Sequence, residues 1–270
     1  MTFSRRARVL MGVAAAIALA FIYVPLAVVL VNSFNPSRVF SWPPQGLTLT
    51  WWAKAAQNDG VRSAVGTSVK AGLGATLIAM ILGSMIAFAV VRYDWFGRTA
   101  ISFLIILPIA LPGIITGIAL NSTITTVLQP LGISFGLLTV IIGHATFCIV
   151  LVFNNVAARL RRTGRVLEEA SMDLGATSLQ TFRLVTFPLI RSALIAGALL
   201  AFALSFDEIV VTTFTAGPDI QTLPQWIFNN LFRPNQAPIV NAVAAVLVLA
   251  FIIPVYLAQR LSEGGAGGRF

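Results

Sequence analysis

The sequence predicts an all-α integral membrane protein, a bundle of six transmembrane helices, on three observations. Hydrophobic residues fill 57% of the 270 positions and charged residues only 10%, and the mean hydropathy is +0.89, outside what a water-facing surface tolerates. Six stretches, 9–31, 66–91, 100–121, 136–157, 191–213 and 239–259, are nearly free of charge, and each has the length, about 20 residues, that crosses the hydrocarbon layer as helix. They are continuously apolar rather than alternating, which selects helices over a barrel as the way to satisfy the backbone in lipid. A single membrane domain over residues 1–270 is expected.

The first span follows Arg5, Arg6 and Arg8 and contains AAAIALA, a run of small residues that suits signal cleavage. Its length marks it instead as an uncleaved span. The loop from Asn32 to Ser68 is rich in turn formers, carries Trp42, Trp51 and Trp52, which suit a headgroup boundary, and should hold one short helix. RYDWFGR at 92–98 reads as a tight turn, and NSTITTVLQPLGIS at 121–134 as a brief external segment. Between them, Pro108, Pro112, Gly113 and Gly117 interrupt the third span, which neighbouring helices or a wet cavity can accommodate. No pair of similar halves marks an internal repeat.

The formal charge of +9 would suit a nucleic-acid partner, but the basic residues sort by loop. With a cytoplasmic N-terminus, thirteen arginines fall on that side, from Arg5 through the 158–190 loop to Arg260 and Arg269, against Arg38, Lys54, Arg62 and Arg233 on the other. Such asymmetry is the positive-inside bias, which places both termini and the 158–190 loop on the cytoplasmic side of the membrane. The basic charge then reports topology, and no nucleic acid is expected.

No G-x-x-x-x-G-K-[ST] loop is present, and the two lysines, Lys54 and Lys70, lie in no such setting, so the chain should not hydrolyse ATP by that route. His144 and Cys148 stand four apart on one helical face. Two ligands without a carboxylate make a poor metal site, and polar packing between helices is the better reading. One histidine, one cysteine and few acids leave no nucleophile-and-base constellation for an enzyme, and Cys148 has no disulfide partner within the chain.

Charge concentrates in one place: Arg159 to Arg191 holds nine of the 27 Lys, Arg, Asp and Glu residues. Within it, EEASMDLG reads as a short helix, and Gly175 supplies a left-handed turn. Thr177 with Gln180 forms a capping box for a second helix, which Pro188 should end. Glu169-Ala170-Ser171, three residues, Gly175, nine residues, then Val185-Thr186-Phe187-Pro188 resembles the E-A-A-x3-G-x9-I-x-L-P loop of ABC-importer permeases of the type I, or MetI-like, family. It departs from that pattern at Ser171, Val185 and Phe187. The resemblance implies a coupling helix docked on a separate ATPase, with Glu169, Ala170, Ser171, Gly175 and Pro188 in the docking loop. It also implies ATP and magnesium on that partner and no cofactor on this chain.

A second stretch, ALSFDEIVVTTFTAGP at 203–218, sets the consecutive acids Asp207 and Glu208 in an apolar run, where each costs about 2.5–3.5 kcal/mol at the bilayer centre. Sixteen residues beyond Arg191, Asp207 should lie about 24 Å along a helix. Neighbours on a helix point about 100° apart, so one acid at most, Asp207 for preference, faces a central cavity as a collar for a cationic solute. The alternative is that both are interfacial or pair with a partner helix. SFDEIVVTTFTAGP and YVPLAVVLVNSFN also resemble the smaller permease of spermidine and putrescine importers. That resemblance implies a second, non-identical permease, two ATPase copies and an external binding protein, although opines and ferric iron are other solutes of similar chains. A secondary transporter driven by an ion gradient is the rival reading, and a purely structural membrane subunit remains open beside it.

Overall fold

In the computed structural model, residues 4–38, 42–233 and 236–264 are described, without the side chains of 252–255 and 257–264. Arg269 and the side chain of Arg260, both used in the topology argument, lie outside the described residues. Twelve helices follow in order among the described residues, with no strand: α1 Arg5–Asn32, α2 Thr50–Gln57, α3 Asp59–Arg92, α4 Arg98–Ala110, α5 Gly113–Thr123, α6 Leu137–Thr163, α7 Val166–Asp173, α8 Ser178–Thr181, α9 Phe187–Phe206, α10 Val210–Thr215, α11 Leu223–Leu231 and α12 Ala237–Gly264. The all-helical membrane class holds: among the described residues five helices are long and apolar enough to cross a bilayer, and Arg98–Ala110 and Ala237–Phe251 are shorter apolar helices beside them.

The chain forms two compact units. The smaller comprises residues 1–62 and 227–251. Its α1 keeps Leu10, Ile17, Phe21 and Tyr23 exposed, as suits a helix whose solvent is lipid. The loop after α1 is tied to the predicted short helix α2. Trp51 is buried and donates its indole N–H to the Asn35 carbonyl at 3.0 Å. Trp52 stacks on Phe34, with centroids 5.1 Å apart. Two of the three tryptophans assigned to a headgroup boundary therefore pack the loop, Trp51 with its N–H bonded and Trp52 by ring stacking, because an indole brings a large apolar area to a contact.

The larger unit comprises residues 63–226 and 252–270 and is organised around α6, whose thirteen buried residues are spread from Thr139 to Leu160. Along α3, Ala71, Ala75, Ala79 and Ala87 recur at multiples of four residues and are fully buried, with Gly83 in the same series. A Cβ on Gly83 would stand 2.9 Å from the Ile149 carbonyl oxygen and 3.1 Å from the Phe153 amide nitrogen, so α3 and α6 touch backbone to backbone. Small residues permit that approach, and dispersion then holds the pair where no hydrophobic drive exists. Gly197 of α9 also approaches α6 closely, its Cβ position standing 3.3 Å from Val152 Cα.

Three expectations change. The third span does not run unbroken over 100–121. It breaks at Leu111-Pro112, and α5 continues through a π turn at Ile124–Leu128 and a 3-10 turn to Leu131, so most of the supposed external segment 121–134 is helix. Pro112, which lacks an N–H and restrains the residue before it, is the break, whereas Pro108 is carried inside α4. Pro188 does not end the helix it lies in: Ser178–Phe206 runs on as one apolar helix, because the π turn at Phe182–Thr186 widens the coil just where the ring would clash with the preceding turn.

Candidate functional site

The first candidate region is the elbow formed by α7 and α8. Asp173, Leu174 and Gly175 close α7 in a Schellman motif: Gly175 takes φ +88°, its N–H donates to the Met172 carbonyl at 2.9 Å, and the Ala176 N–H reaches Ser171 at 3.1 Å. The capping box closes from both sides. The Thr177 N–H donates to Gln180 Oε1 at 2.8 Å and the Gln180 N–H to Thr177 Oγ1 at 3.3 Å. Glu168 and Glu169 occupy the first turn of α7, where the positive end of the helix favours acids.

Glu169, Ala170 and Gly175 are exposed, as is Pro188, while Ser171 is half-buried and bonded to Thr181 at 3.1 Å. Leu174, Leu179 and Leu184 project into the open at 90, 75 and 71% exposure. Together they make this side of the elbow apolar. The other side of the elbow is fastened. Arg92, the last residue of α3, meets the Glu168 carboxylate through Nε and Nη2, each at 3.0 Å, and donates from Nη1 to the Leu160 carbonyl at 3.1 Å. Thr186 donates its hydroxyl to the same carboxylate at 3.1 Å. Phe88 lies edge-on to Phe182 at 5.8 Å, and Arg159 Nε donates to the Leu189 carbonyl at 2.8 Å.

The sequence reading gave Arg92 a topological role and Glu168 none. The available signal was the doublet Glu168-Glu169: neighbours on a helix diverge by about 100°, so one acid of such a pair faces inward and needs a cation.

The second region is the joint after α9. Asp207 and Glu208 do not continue a helix, since α9 ends at Phe206 and α10 begins at Val210. The argument from helical phase therefore fails for this pair. Glu208 turns its carboxylate onto the new helix and accepts the Val211 N–H at 2.7 Å, which stabilises the break. Asp207 stays exposed.

His144 bridges the joint from α6. Its Nδ1 lies 2.8 Å from Ser205 Oγ on α9 and its Nε2 2.8 Å from Thr212 Oγ1 on α10. Thr212 spends its one hydroxyl hydrogen on the Glu208 carbonyl at 2.8 Å. A neutral ring therefore donates from Nε2 and accepts the Ser205 proton at Nδ1. Cys148 donates its thiol to the Ala201 carbonyl at 3.3 Å. Both residues are thus polar packing between helices. Asn121 of α5 and Thr139 of α6 extend the tie to α10 through the carbonyls of Phe214 and Thr215, at 2.8 and 2.7 Å.

Residues 79–265 match the family described as the binding-protein-dependent transport system inner membrane component. The chain is 35% identical over 245 residues to the putrescine transport system permease protein PotI of Escherichia coli K12, covering 89% of this chain and 86% of that one. It is 31% identical over 250 residues to the spermidine/putrescine transport system permease protein PotC of the same organism, covering 92% of each. In fold it is similar to a chain in the crystal structure of a bacterial ABC transporter involved in the import of the acidic polysaccharide alginate, with a TM-score of 0.68, 16% identity, and coverage of 98% of this chain and 99% of that one.

Proposed function

The chain belongs to the family of binding-protein-dependent transport system inner membrane components, and from that premise we propose that it forms half of the translocation pathway of an importer for putrescine, spermidine or a related small cationic solute. It is the permease, not the motor. ATP and magnesium belong to two copies of a separate ATPase, and a second, non-identical permease and an external binding protein complete the assembly. The polyamine assignment draws on relatives named for putrescine and spermidine.

The observation that carries the coupling role is the two-sidedness of the elbow: Glu169, Ala170 and Gly175 are exposed beside bare leucines while Glu168 is bolted inward. A groove in an ATPase covers the outer side. Closure of the ATPase dimer on ATP then draws the elbows together, and the bundle passes between inward-open and outward-open packings. In the pathway, Asp207 is the acid left free to face a cation, since Glu208 is engaged by α10.

Reconstitution of this chain with the three partner proteins in liposomes, followed by ATP-dependent uptake of labelled putrescine, tests the reading. Gly175→Val forces a β-branched residue into the left-handed region at a cost of about 1–2 kcal/mol or more. It is expected to abolish uptake while the chain still inserts. Uptake that ignores both this change and removal of the ATPase, but collapses with the ion gradient, would return the secondary-transporter reading.

A further inference from the structure

Resting on the reading of the elbow as the ATPase-docking element, we infer that Arg92 and Glu168 are the positioning residues that carry its movement into the bundle. A docked helix does work only if it is fixed to what it must move. With eight residues, α7 is too short to hold itself together as an isolated helix. Arg92 and Glu168 themselves line a cavity of about 290 Å³ beside α7, together with Arg165, Met172, Thr181 and Thr186, and α7 buries none of its own residues completely, so directed polar bonds are the connections that fix its position.

The ion pair makes the connection. Its side chains are 9 and 15% exposed. One carboxylate takes Arg92 Nε and Nη2 together with the Thr186 hydroxyl, while Nη1 holds the Leu160 carbonyl. Four segments meet there: the end of α3, the last turns of α6, the first turn of α7, and the π turn that leads into α9. The guanidinium is a rigid planar fork, so it transmits a displacement where a flexible ammonium would swivel. Glu169 faces the open beside it, so adjacent residues divide the tasks of meeting the motor and holding the bundle.

The test uses the whole reconstituted importer and reads ATPase association, ATP hydrolysis, and solute transported per ATP. Glu168→Asp keeps the charge but is one methylene short of reaching all three donors. It is expected to leave association intact and lower transport per ATP about tenfold, the scale of losing one charge-assisted bond. Arg92→Lys should fall alike, because the fork is lost. The paired Arg92→Met and Glu168→Leu change removes both charges, so no lone ion is left buried, and the thermal midpoint should recover relative to either single truncation. Transport per ATP is expected to stay low in that double variant. Normal coupling there would overturn the inference and leave the pair a merely structural contact. If the unaltered chain fails to bind the ATPase at all, the docking reading itself has failed, and this inference falls with it.

Discussion

The two acids at the end of α9 show how much one hydrogen bond changes the meaning of a residue. Side by side in an apolar run, Asp207 and Glu208 look equivalent, yet Glu208 closes the first turn of α10 with a 2.7 Å bond to Val211 and Asp207 is exposed. Glu208→Ala should therefore cost stability, about 1 kcal/mol as for other helix caps, read as a lower thermal midpoint of the detergent-purified chain. Asp207→Asn should leave that midpoint within roughly 0.5 kcal/mol of wild type while raising the putrescine concentration for half-maximal uptake. Equal loss of stability in both would contradict the division of roles. The sequence made the acids conspicuous because burying charge in lipid is expensive. It could not separate them, because the break in the helix that gives Glu208 its cap is made by tertiary bonds, among them the two from His144.

At the scale of elements, close approach is the governing fact. The α3 surface of Ala71, Ala75, Ala79, Gly83 and Ala87 lies against the larger unit's core, and at Gly83 the next atoms are α6 backbone, which cannot rotate aside. Gly83→Val is expected to push the two helices apart at a cost of about 1–3 kcal/mol, the range for overpacked cores, measured by thermal unfolding in detergent. Gly66, whose Cβ would meet nothing within 4 Å, is the control, and its replacement by alanine should be nearly silent. An equal effect at both positions would count against the contact. Apolar length is enough to mark a span, so the membrane helices were legible in the sequence, and so were the elbow's glycine turn and capping box, which are local. The partner face of each helix was not, since the four-residue spacing of small residues marks a face without saying which helix will meet it. Nor was the run through Pro188, because the π turn that accommodates the ring is a cooperative adjustment of five residues.

For the molecule as a whole, the distribution of arginines carries the argument. Short loops rich in Arg resist translocation, and the 158–190 loop, with Arg159, Arg161, Arg162, Arg165 and Arg183, is the most basic in the chain. If it meets an ATPase it must face the cytoplasm. In a Cys148→Ala background, Ser178→Cys should react with a membrane-impermeant maleimide in inside-out vesicles and stay unlabelled in intact spheroplasts. The reverse pattern would put the elbow outside the cell and end the coupling proposal.

By itself the sequence determined the solvent this protein lives in, where most of its apolar helices lie, the ordered elbow and the family that the elbow resembles. Each of these follows from composition, length or short-range bonding, which act within a few residues of one another. Only the tertiary structure decided that Arg92 holds Glu168 across 76 positions of chain, that His144 splints α9 to α10, and that α3 can rest its backbone on α6. These are pairings between distant segments. Their free energy exists only after the helices have packed, because a buried charge or imidazole gains from its partner only where water and lipid are both shut out.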